Sequence, residues 1–280
     1  MHTASNVDHK TVEGFGEEWS HFDQSQMSDE ETAAHFAQYF KNFPWHSLPK
    51  DAAGFDMGCG SGRWAKLVAP RVGWLHCIDA SSKALEVCRQ MLRENTNVQW
   101  HQASVDQLPF ADNSMDFGYS LGVLHHIPDT QAALQSCIDK LKPGAPFLVY
   151  LYYAFDHKPW WFRVLWRFSD IGRRVICRLP FRLKRCMTDT IATLVYWPLA
   201  RLAGLVKRLG RPVEHMPLAY YRQHSFYTLR TDALDRFGTR LEQRFTQEQI
   251  KQMMRKCGLE KIRFNEEMPY WCAVGYKART

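Results

Sequence analysis

The sequence predicts a doubly wound α/β fold, with a mostly parallel seven-stranded sheet and a helical insertion after the fifth strand. Two observations lead to this prediction. Short apolar segments alternate with segments of helical spacing over residues 54–153, and a glycine-rich turn joins the first strand to its helix. Repeated β/α alternation is typical of a parallel sheet that is covered on both faces. With 280 residues, the chain has room for one large core and one insertion.

Each element follows from its local pattern. Capping boxes begin helices at Ser28 and Thr246. Helical spacing between residues 158 and 222 is interrupted at Pro180, Pro198 and Pro212. The predicted strands cover residues 54–57, 74–78, 98–103, 116–121, 147–153, 261–264 and 271–276.

These elements divide the chain into four segments. Residues 1–45 are an N-terminal helical lid, and residues 46–157 are the ligand-binding α/β core. Residues 158–222 are a basic, aromatic helical insert. Residues 223–280 supply a helix and the last two strands of the core sheet.

The glycine turn predicts a nucleotide-like ligand. Gly58, Gly60 and Gly62 follow Asp56 in a GxGxG spacing, and glycine allows the backbone to approach a ligand closely. Dinucleotide sites prefer GxGxxG, so the spacing favours S-adenosylmethionine over NAD and argues against a dehydrogenase. Asp79, at the end of the second strand, can accept both ribose hydroxyl hydrogens; its alternative role is a helix N-cap.

Six motifs occur in order along the core and carry a family resemblance. They are residues 55–62, 77–79, 106–110, 114–117, 124–127 and 141–144. Together they resemble the class I S-adenosylmethionine-dependent methyltransferases, which have a Rossmann-like fold, and in particular uncharacterised bacterial enzymes of the small-molecule type.

The resemblance implies a role for each matching residue. Asp56 and the turn (Gly58, Cys59, Gly60, Gly62) face the methionine part of the cofactor, and Asp79 with Ala80 holds the ribose. Ser104, Val105 and Asp106 flank the adenine, Leu121 and Gly122 lie near the transferred methyl, and Trp19 folds over the cofactor. Many relatives carry an acid where this chain has Ser104, so Asp106 or a backbone carbonyl must accept the adenine amino hydrogen.

Candidate catalytic and substrate residues lie just beyond the fourth and fifth strands. His125 and His126 could act as a base for a protonated nucleophile; the alternative is that one of them packs under the cofactor or bonds a loop. Candidates for substrate contact are Tyr152, Tyr153, Asp156 and His157.

Charge and cysteine content bear on partners and location. Residues 158–212 hold thirteen Lys and Arg against two acids, a net +11 that leaves −4 for the rest of a chain whose total is +7. We expect the insert to overhang the site and to attract an anionic acceptor. Its aromatic residues are expected to form a helical lid or a homodimer surface, and peripheral contact with a membrane is the alternative. Scattered cysteines without a CxxC pair, and no secretory signal, predict a cytoplasmic protein without a metal.

The expected function is methyl transfer to the oxygen or nitrogen of a small molecule, such as a sugar or another polar or anionic metabolite. A membrane-associated lipid or quinone-like acceptor is the alternative, and a non-catalytic module that only binds the cofactor is a third reading. Nucleic acid is not expected, because Ser120-Leu121-Gly122-Val123 stands where a base methyltransferase carries a Pro-Pro-aromatic motif.

Overall fold

The computed structural model describes residues 5–156, 158–213 and 215–279. In this part of the chain, seven strands form one sheet in the order β3-β2-β1-β4-β5-β7-β6. The strands are β1 (Ala53–Met57), β2 (Trp74–Asp79), β3 (Val98–Gln102), β4 (Phe117–Leu121), β5 (Pro146–Tyr150), β6 (Leu259–Phe264) and β7 (Ala273–Lys277). Strands β1 to β5 are parallel, and β7 is antiparallel to both β5 and β6. The predicted doubly wound, mostly parallel fold is therefore confirmed.

Two compact units make up the chain. The first contains residues up to Gln24, Thr32–Ala154 and the residues from Leu241 onward, and the second contains Ser25–Glu31 and Phe155–Arg240. The second unit extends beyond the predicted insert at 158–222 on both sides.

The helices of the first unit cover both faces of the sheet. They are α1 (His9–His21), α3 (Ala65–Val68), α4 (Ser82–Met91), α5 (Thr130–Lys140) and α10 (Gln247–Lys256), and α2 (Asp29–Tyr39) begins in the short Ser25–Glu31 segment. Side chains of β5 alternate between two apolar cores. Leu148 and Tyr150 join one core, and Phe147 and Val149 join the other. A sheet buried on both faces leaves its strand ends as the exposed edge where a ligand can bind.

The second unit is helical. Its helices are α6 (Trp160–Ile176), α7 (Phe181–Ile191), α8 (Trp197–Arg208) and α9 (Phe226–Gly238). Apolar residues of α9 (Leu229, Ala233, Phe237) form a small core with Ile176 and Tyr196. No helix among the described residues is both long and apolar enough to cross a bilayer.

One predicted helix boundary in this unit is wrong. Pro180 precedes α7 and Pro212 follows α8, as expected, but Pro198 interrupts nothing. The chain passes from α7 through a π-helical segment, Ala192–Tyr196, directly into α8. Pro198 is the second residue of α8 and directly follows this π-helical segment, where the regular α-helical hydrogen-bond pattern is already altered.

Candidate functional site

The carboxyl ends of β1, β2 and β4 meet at one cleft of the first unit. About 900 Å³ of empty space, open solvent included, lies between them, within the ~300–1,000 Å³ range of small-molecule sites. Predicted residues that line the cleft are Trp19, Gly58, Cys59, Gly60, Asp79, Ala80, Ser104, Val105, Leu121, Gly122 and His126.

The glycine turn is held by backbone hydrogen bonds from β2. The N–H groups of Gly58 and Cys59 both donate to the carbonyl of Ile78, at 2.8 and 3.0 Å. Gly60 has φ +53°, and a Cβ there would lie 3.0 Å from the indole of Trp19. Glycine is therefore required for both the left-handed backbone and the close approach of Trp19.

Asp79 presents a partly buried carboxylate to this cleft. Its Oδ1 accepts from the N–H of Ser81 at 2.8 Å, and its Oδ2 accepts from the N–H of Gly60 at 3.0 Å. Burial raises the pKa of Asp79 to about 6, although these hydrogen bonds act in the opposite direction. Ser81, whose Oγ accepts from the N–H of Ala84, is the N-cap of α4. The alternative role of Asp79 as the helix N-cap is therefore excluded.

Three predicted cofactor residues do not line the cleft. Asp56 is buried beneath it, and burial together with the neighbouring Cys88 and Asp79 raises its pKa well above the ordinary value. Gly62 packs against Cys88 instead. The carboxylate of Asp106 accepts hydrogen bonds from the hydroxyl of Ser104 and from the backbone N–H of Asn6, two residues that do line the cleft.

The N-terminal segment, predicted as a lid, is a wall of the site, but Trp19 was the one residue of it predicted to contact the cofactor. Besides Trp19, the cleft is lined by Asn6, Val7, Asp8, Thr11, Val12 and Phe15. The side chain of Asn6 donates to the carbonyl of Asp129 at 2.9 Å and accepts from its N–H at 2.8 Å. Thr11, Phe15 and Trp19 follow one another at four-residue spacing, which is the signal that could have identified this face.

The two predicted catalytic histidines occupy different environments. His126 lines the cleft, and its Nδ1 lies 2.6 Å from the carbonyl oxygen of Leu241. Because a carbonyl can only accept, Nδ1 carries the proton and the lone pair lies on Nε2. His125 does not line the cleft. It is fully buried against Tyr152, with ring centroids 3.9 Å apart, and burial lowers its pKa well below the ordinary value.

Two predicted substrate residues, Tyr152 and Tyr153, are not among the residues that line the cleft. The guanidinium of Arg244 lies 5.0 Å from the ring centre of Tyr152 and is paired with Glu242 at 2.8 Å. Burial raises the pKa of Tyr153 to about 12. Asp156 is exposed in the second unit, and His157 lies outside the described residues.

Three buried thiols lie beneath the glycine turn. Cys59 belongs to the turn, Cys77 to β2 and Cys88 to α4, and their sulfur atoms lie within 4.8 Å of one another. Hydrogen bonds from Cys59 and Cys77 lower the pKa of Cys88. Such sulfur atoms are the donors that a thiophilic ion prefers, and the scattered positions of these cysteines in the sequence gave no indication that they would meet.

Sheet order, glycine turn and strand-end acid together define a Rossmann-like methyltransferase fold. The match to a family model described as "Methyltransferase domain" covers residues 55–149 and agrees with this class. Residues 55–149 are therefore a methyltransferase domain of the class I, S-adenosylmethionine-dependent type. S-adenosylmethionine is the cofactor of that domain.

Curated relatives match this chain over the same segment. The Caenorhabditis elegans phosphoethanolamine N-methyltransferase 2 is 35% identical over 100 residues, which is 35% of this chain and 23% of that protein. The ubiquinone biosynthesis O-methyltransferase of Alkalilimnicola ehrlichii is 35% identical over 91 residues, or 32% of this chain and 37% of that protein. The chain thus corresponds to well under half the length of each.

Solved structures extend the likeness of fold beyond the matched segment. A Bacillus halodurans protein provisionally classed as a methyltransferase has a TM-score of 0.51 at 15% identity, covering 83% of this chain and 72% of its own. A chain from the Haloferax volcanii complex of the Trm112 methyltransferase activator with its provisionally classed methyltransferase has a TM-score of 0.53 at 12% identity, covering 95% and 98%. At these identities the likeness shows the fold alone.

Proposed function

We propose that the chain transfers the methyl group of S-adenosylmethionine to a small-molecule acceptor. One observation carries the proposal: the family-matched segment builds a cleft into which the glycine turn, Asp79 and Gly122 all project. These residues come from three different strand ends, where ligands of open α/β sheets bind.

The residues of the cleft fit the cofactor. Asp79 is ionised at neutral pH, and each of its oxygens retains a lone pair for a ribose hydroxyl. Gly122 has φ +80°, and no heavy atom of the described residues lies within 4 Å of the Cβ it lacks, so it leaves space at the end of β4. Arg63 also lines the cleft and offers a cation for the carboxylate of the methionine part.

His126 is the proposed base. When bound, S-adenosylmethionine supplies an electrophilic methyl group on a sulfonium. His126 is oriented by Leu241 with the lone pair on Nε2, so it can accept the proton that a hydroxyl or ammonium nucleophile must lose. The buried His125 is then a packing residue rather than a second base.

Two acceptor classes are open to this site. A relative named for phosphoethanolamine suggests a small anionic amine or alcohol, in keeping with the net +11 of residues 158–212. Relatives named for ubiquinone and for 2-phytyl-1,4-naphthoquinone suggest a membrane-associated quinone-like acceptor. We place the reaction in the cytoplasm, where the eight free cysteines would stay reduced.

Calorimetric titration with S-adenosylhomocysteine and with NAD tests the cofactor. We expect micromolar binding of S-adenosylhomocysteine and none of NAD, and the opposite result would overturn the proposal. Labelled methyl transfer to phosphoethanolamine and to a demethylated quinone then separates the acceptor classes. Binding without transfer to any fraction of a metabolite extract would indicate a non-catalytic module.

His126→Asn tests the base. Loss of general-base catalysis should lower kcat by about 10²–10⁴-fold and leave the affinity for S-adenosylhomocysteine unchanged. His46→Asn, a histidine outside the cleft, is the control. An unchanged kcat would show that the nucleophile needs no base from this residue.

A further inference from the structure

Helix α6 turns large apolar side chains toward solvent. Trp160, Val164, Phe168, Ile171 and Val175 recur at helical spacing along one face of the helix. All five are exposed, Trp160 to 71% and Phe168 to 67% of their surface. Contiguous exposure of this kind marks a binding surface more often than a chance arrangement.

The opposite face of α6 is turned inward and combines apolar with charged groups. Ile176 is buried in the small core of this unit, and Phe162 and Trp166 are half-buried. Arg173 pairs with Asp170 at 2.6 Å and donates to the carbonyl of Thr239 at 2.9 Å, and Arg236 lies 3.7 Å from the same Asp170 carboxylate. The large apolar side chains on the exposed face are therefore additional to those that pack inside the unit.

Helices α7 and α8 also expose large apolar side chains. In α7, Lys184 and Thr188 are buried while Leu183 and Met187 are exposed. In α8, the small residues Ala200 and Ala203 are buried. The large side chains Leu202, Leu205 and the following Leu209 are exposed.

Cations are interleaved with these apolar residues. Arg163 and Arg167 are exposed on α6, and Arg174 keeps 68% of its side chain exposed. Residues 158–212 carry thirteen cations and two acids in all. The partner of such a surface should therefore be both apolar and anionic.

We propose that the exposed faces of α6, α7 and α8 dock on the surface of an anionic phospholipid bilayer. Aliphatic and tryptophan side chains would enter the boundary between head groups and acyl chains, and the arginines would contact lipid phosphates. Helix length agrees with docking on the surface, because no described helix can span a bilayer.

Two other occupants fit these faces less well. A second copy of the chain would bring two surfaces of net charge +11 together, and like charges oppose that contact. Single-stranded nucleic acid would use aromatic rings for stacking, whereas Val164, Ile171, Leu183 and Leu205 are aliphatic. An anionic lipid surface would contact both the aliphatic side chains and the cations. This inference needs neither cofactor nor acceptor, so it stands or fails separately from methyl transfer.

Co-sedimentation of the full chain with vesicles tests the proposal. We expect binding to vesicles of phosphatidylglycerol and phosphatidylcholine in equal parts to be at least about tenfold tighter than to phosphatidylcholine alone, and to weaken as salt is added. Tryptophan emission should shift to shorter wavelength on binding. No sedimentation with the anionic vesicles would overturn the proposal.

Matched variants separate the apolar and charged contributions. Trp160→Ser with Phe168→Ser should lower vesicle affinity at least about tenfold, whereas Trp74→Ser, which removes a tryptophan that is 46% exposed in the first unit, should change nothing. Arg163→Glu with Arg167→Glu should weaken binding to the anionic vesicles only. Unchanged circular dichroism and melting temperature would show that each variant folds.

Two further results would contradict the lipid assignment. Wild-type protein that sediments as a dimer, ignores vesicles and becomes monomeric in the Trp160→Ser, Phe168→Ser variant would assign the faces to a second copy. Tighter binding to single-stranded RNA than to anionic vesicles, lost in the same variant, would assign them to nucleic acid.

Discussion

At the scale of single residues, Asp79 serves binding at the expense of folding. Its carboxylate is partly buried beside Gly60 and Ser81, and its pKa is raised to about 6. An acid whose folded-state pKa is raised stabilises the protein while protonated, at low pH, and that stability is lost as pH rises through 6. At neutral pH the carboxylate of Asp79 is ionised, and this is the form that can accept hydrogen bonds from the ligand.

Asp79→Asn should separate these two effects. We expect the affinity for S-adenosylhomocysteine to fall by about 2–3 kcal/mol, because charge-assisted hydrogen bonds to the ribose are lost. The free energy of unfolding at pH 8 should fall by less than this, because removal of a desolvated charge offsets the one backbone hydrogen bond that the amide nitrogen cannot accept. Calorimetry and urea unfolding measure the two quantities, with the exposed Asp51→Asn as control. A variant that binds normally but unfolds earlier would show that Asp79 is structural.

The same group predicts how binding depends on pH. In the wild type, the affinity for S-adenosylhomocysteine should decline as pH falls below about 6, because the protonated Asp79 can no longer accept two hydroxyl hydrogens. Asp79→Asn should lack this decline. Titrations at pH 7.5 and 5 test it, and an equal decline in the variant would place the titrating group elsewhere.

At the scale of elements, two glycines of similar backbone conformation have different roles. Gly62 has φ +82°, and a Cβ there would lie 2.8 Å from Sγ of Cys88. Gly122 has φ +80°, lines the cleft and has no described heavy atom within 4 Å of an added Cβ. The first glycine allows α4 to pack against the turn, and the second keeps the cleft open.

Alanine at each position should show this difference. Both variants incur the left-handed strain of about 1–2 kcal/mol, but Gly62→Ala should lose about 1–3 kcal/mol more through the collision with Cys88. Gly122→Ala should have the higher free energy of unfolding of the two variants. It should nevertheless bind S-adenosylhomocysteine more weakly than Gly62→Ala does. Urea unfolding and calorimetry on the pair provide the comparison, and equal losses of stability would contradict the packing argument.

Local pattern was sufficient to predict most elements. The glycine turn, the strand-end Asp79 and the capping box at Thr246 each depend on residues close in sequence, and all three are present. Helix α3 has only four residues, and the chain continues from it into a 3₁₀ turn that contains Pro70.

Contacts between distant segments could not be predicted in this way. The Asp106 carboxylate accepts a hydrogen bond from the backbone N–H of Asn6, a hundred residues away. The orientation of His126 depends on Leu241, and the thiol cluster joins three elements. Nothing in the local sequence around these residues specifies such partners.

At the scale of the whole molecule, histidines that are protected from water make the stability of the fold depend on pH. His125 is fully buried, and desolvation with the nearby His126 and Arg244 lowers its pKa well below the ordinary value. His76 shows the same direction, with its pKa lowered to about 4 by burial and by His101. Since the unfolded chain binds these protons first, stability should be full above pH 6.5 and should be lost as pH falls toward the folded-state values.

His125→Phe tests this coupling. Lowering pH from 8 to 5.5 should cost the wild type about 1.4 kcal/mol more than the variant, the free energy of protonating one histidine of pKa ~6.5 in the unfolded state. Urea unfolding at both pH values gives the difference. His46→Phe is the control, and an identical pH dependence in wild type and His125→Phe would show that His125 does not resist protonation.

The N-terminal wall of the cleft has a consequence for the rate at which a ligand enters and leaves. Seven lining residues between Asn6 and Trp19 precede the core, and the side chain of Asn6 attaches this segment to Asp129 through two hydrogen bonds. A ligand enclosed by that segment can exchange with solvent only as fast as the attachment opens. Asn6→Ala should therefore raise the association and dissociation rates of S-adenosylhomocysteine together, about threefold to tenfold for a loss of ~1 kcal/mol, with little change in Kd.

Stopped-flow tryptophan fluorescence measures these rates, with Asn95→Ala as a control away from the cleft. Unchanged rates would show that the segment opens without releasing Asn6. If the rates rise as expected, product residence time, and with it the ceiling on turnover, is controlled by a side chain that takes no part in the chemistry.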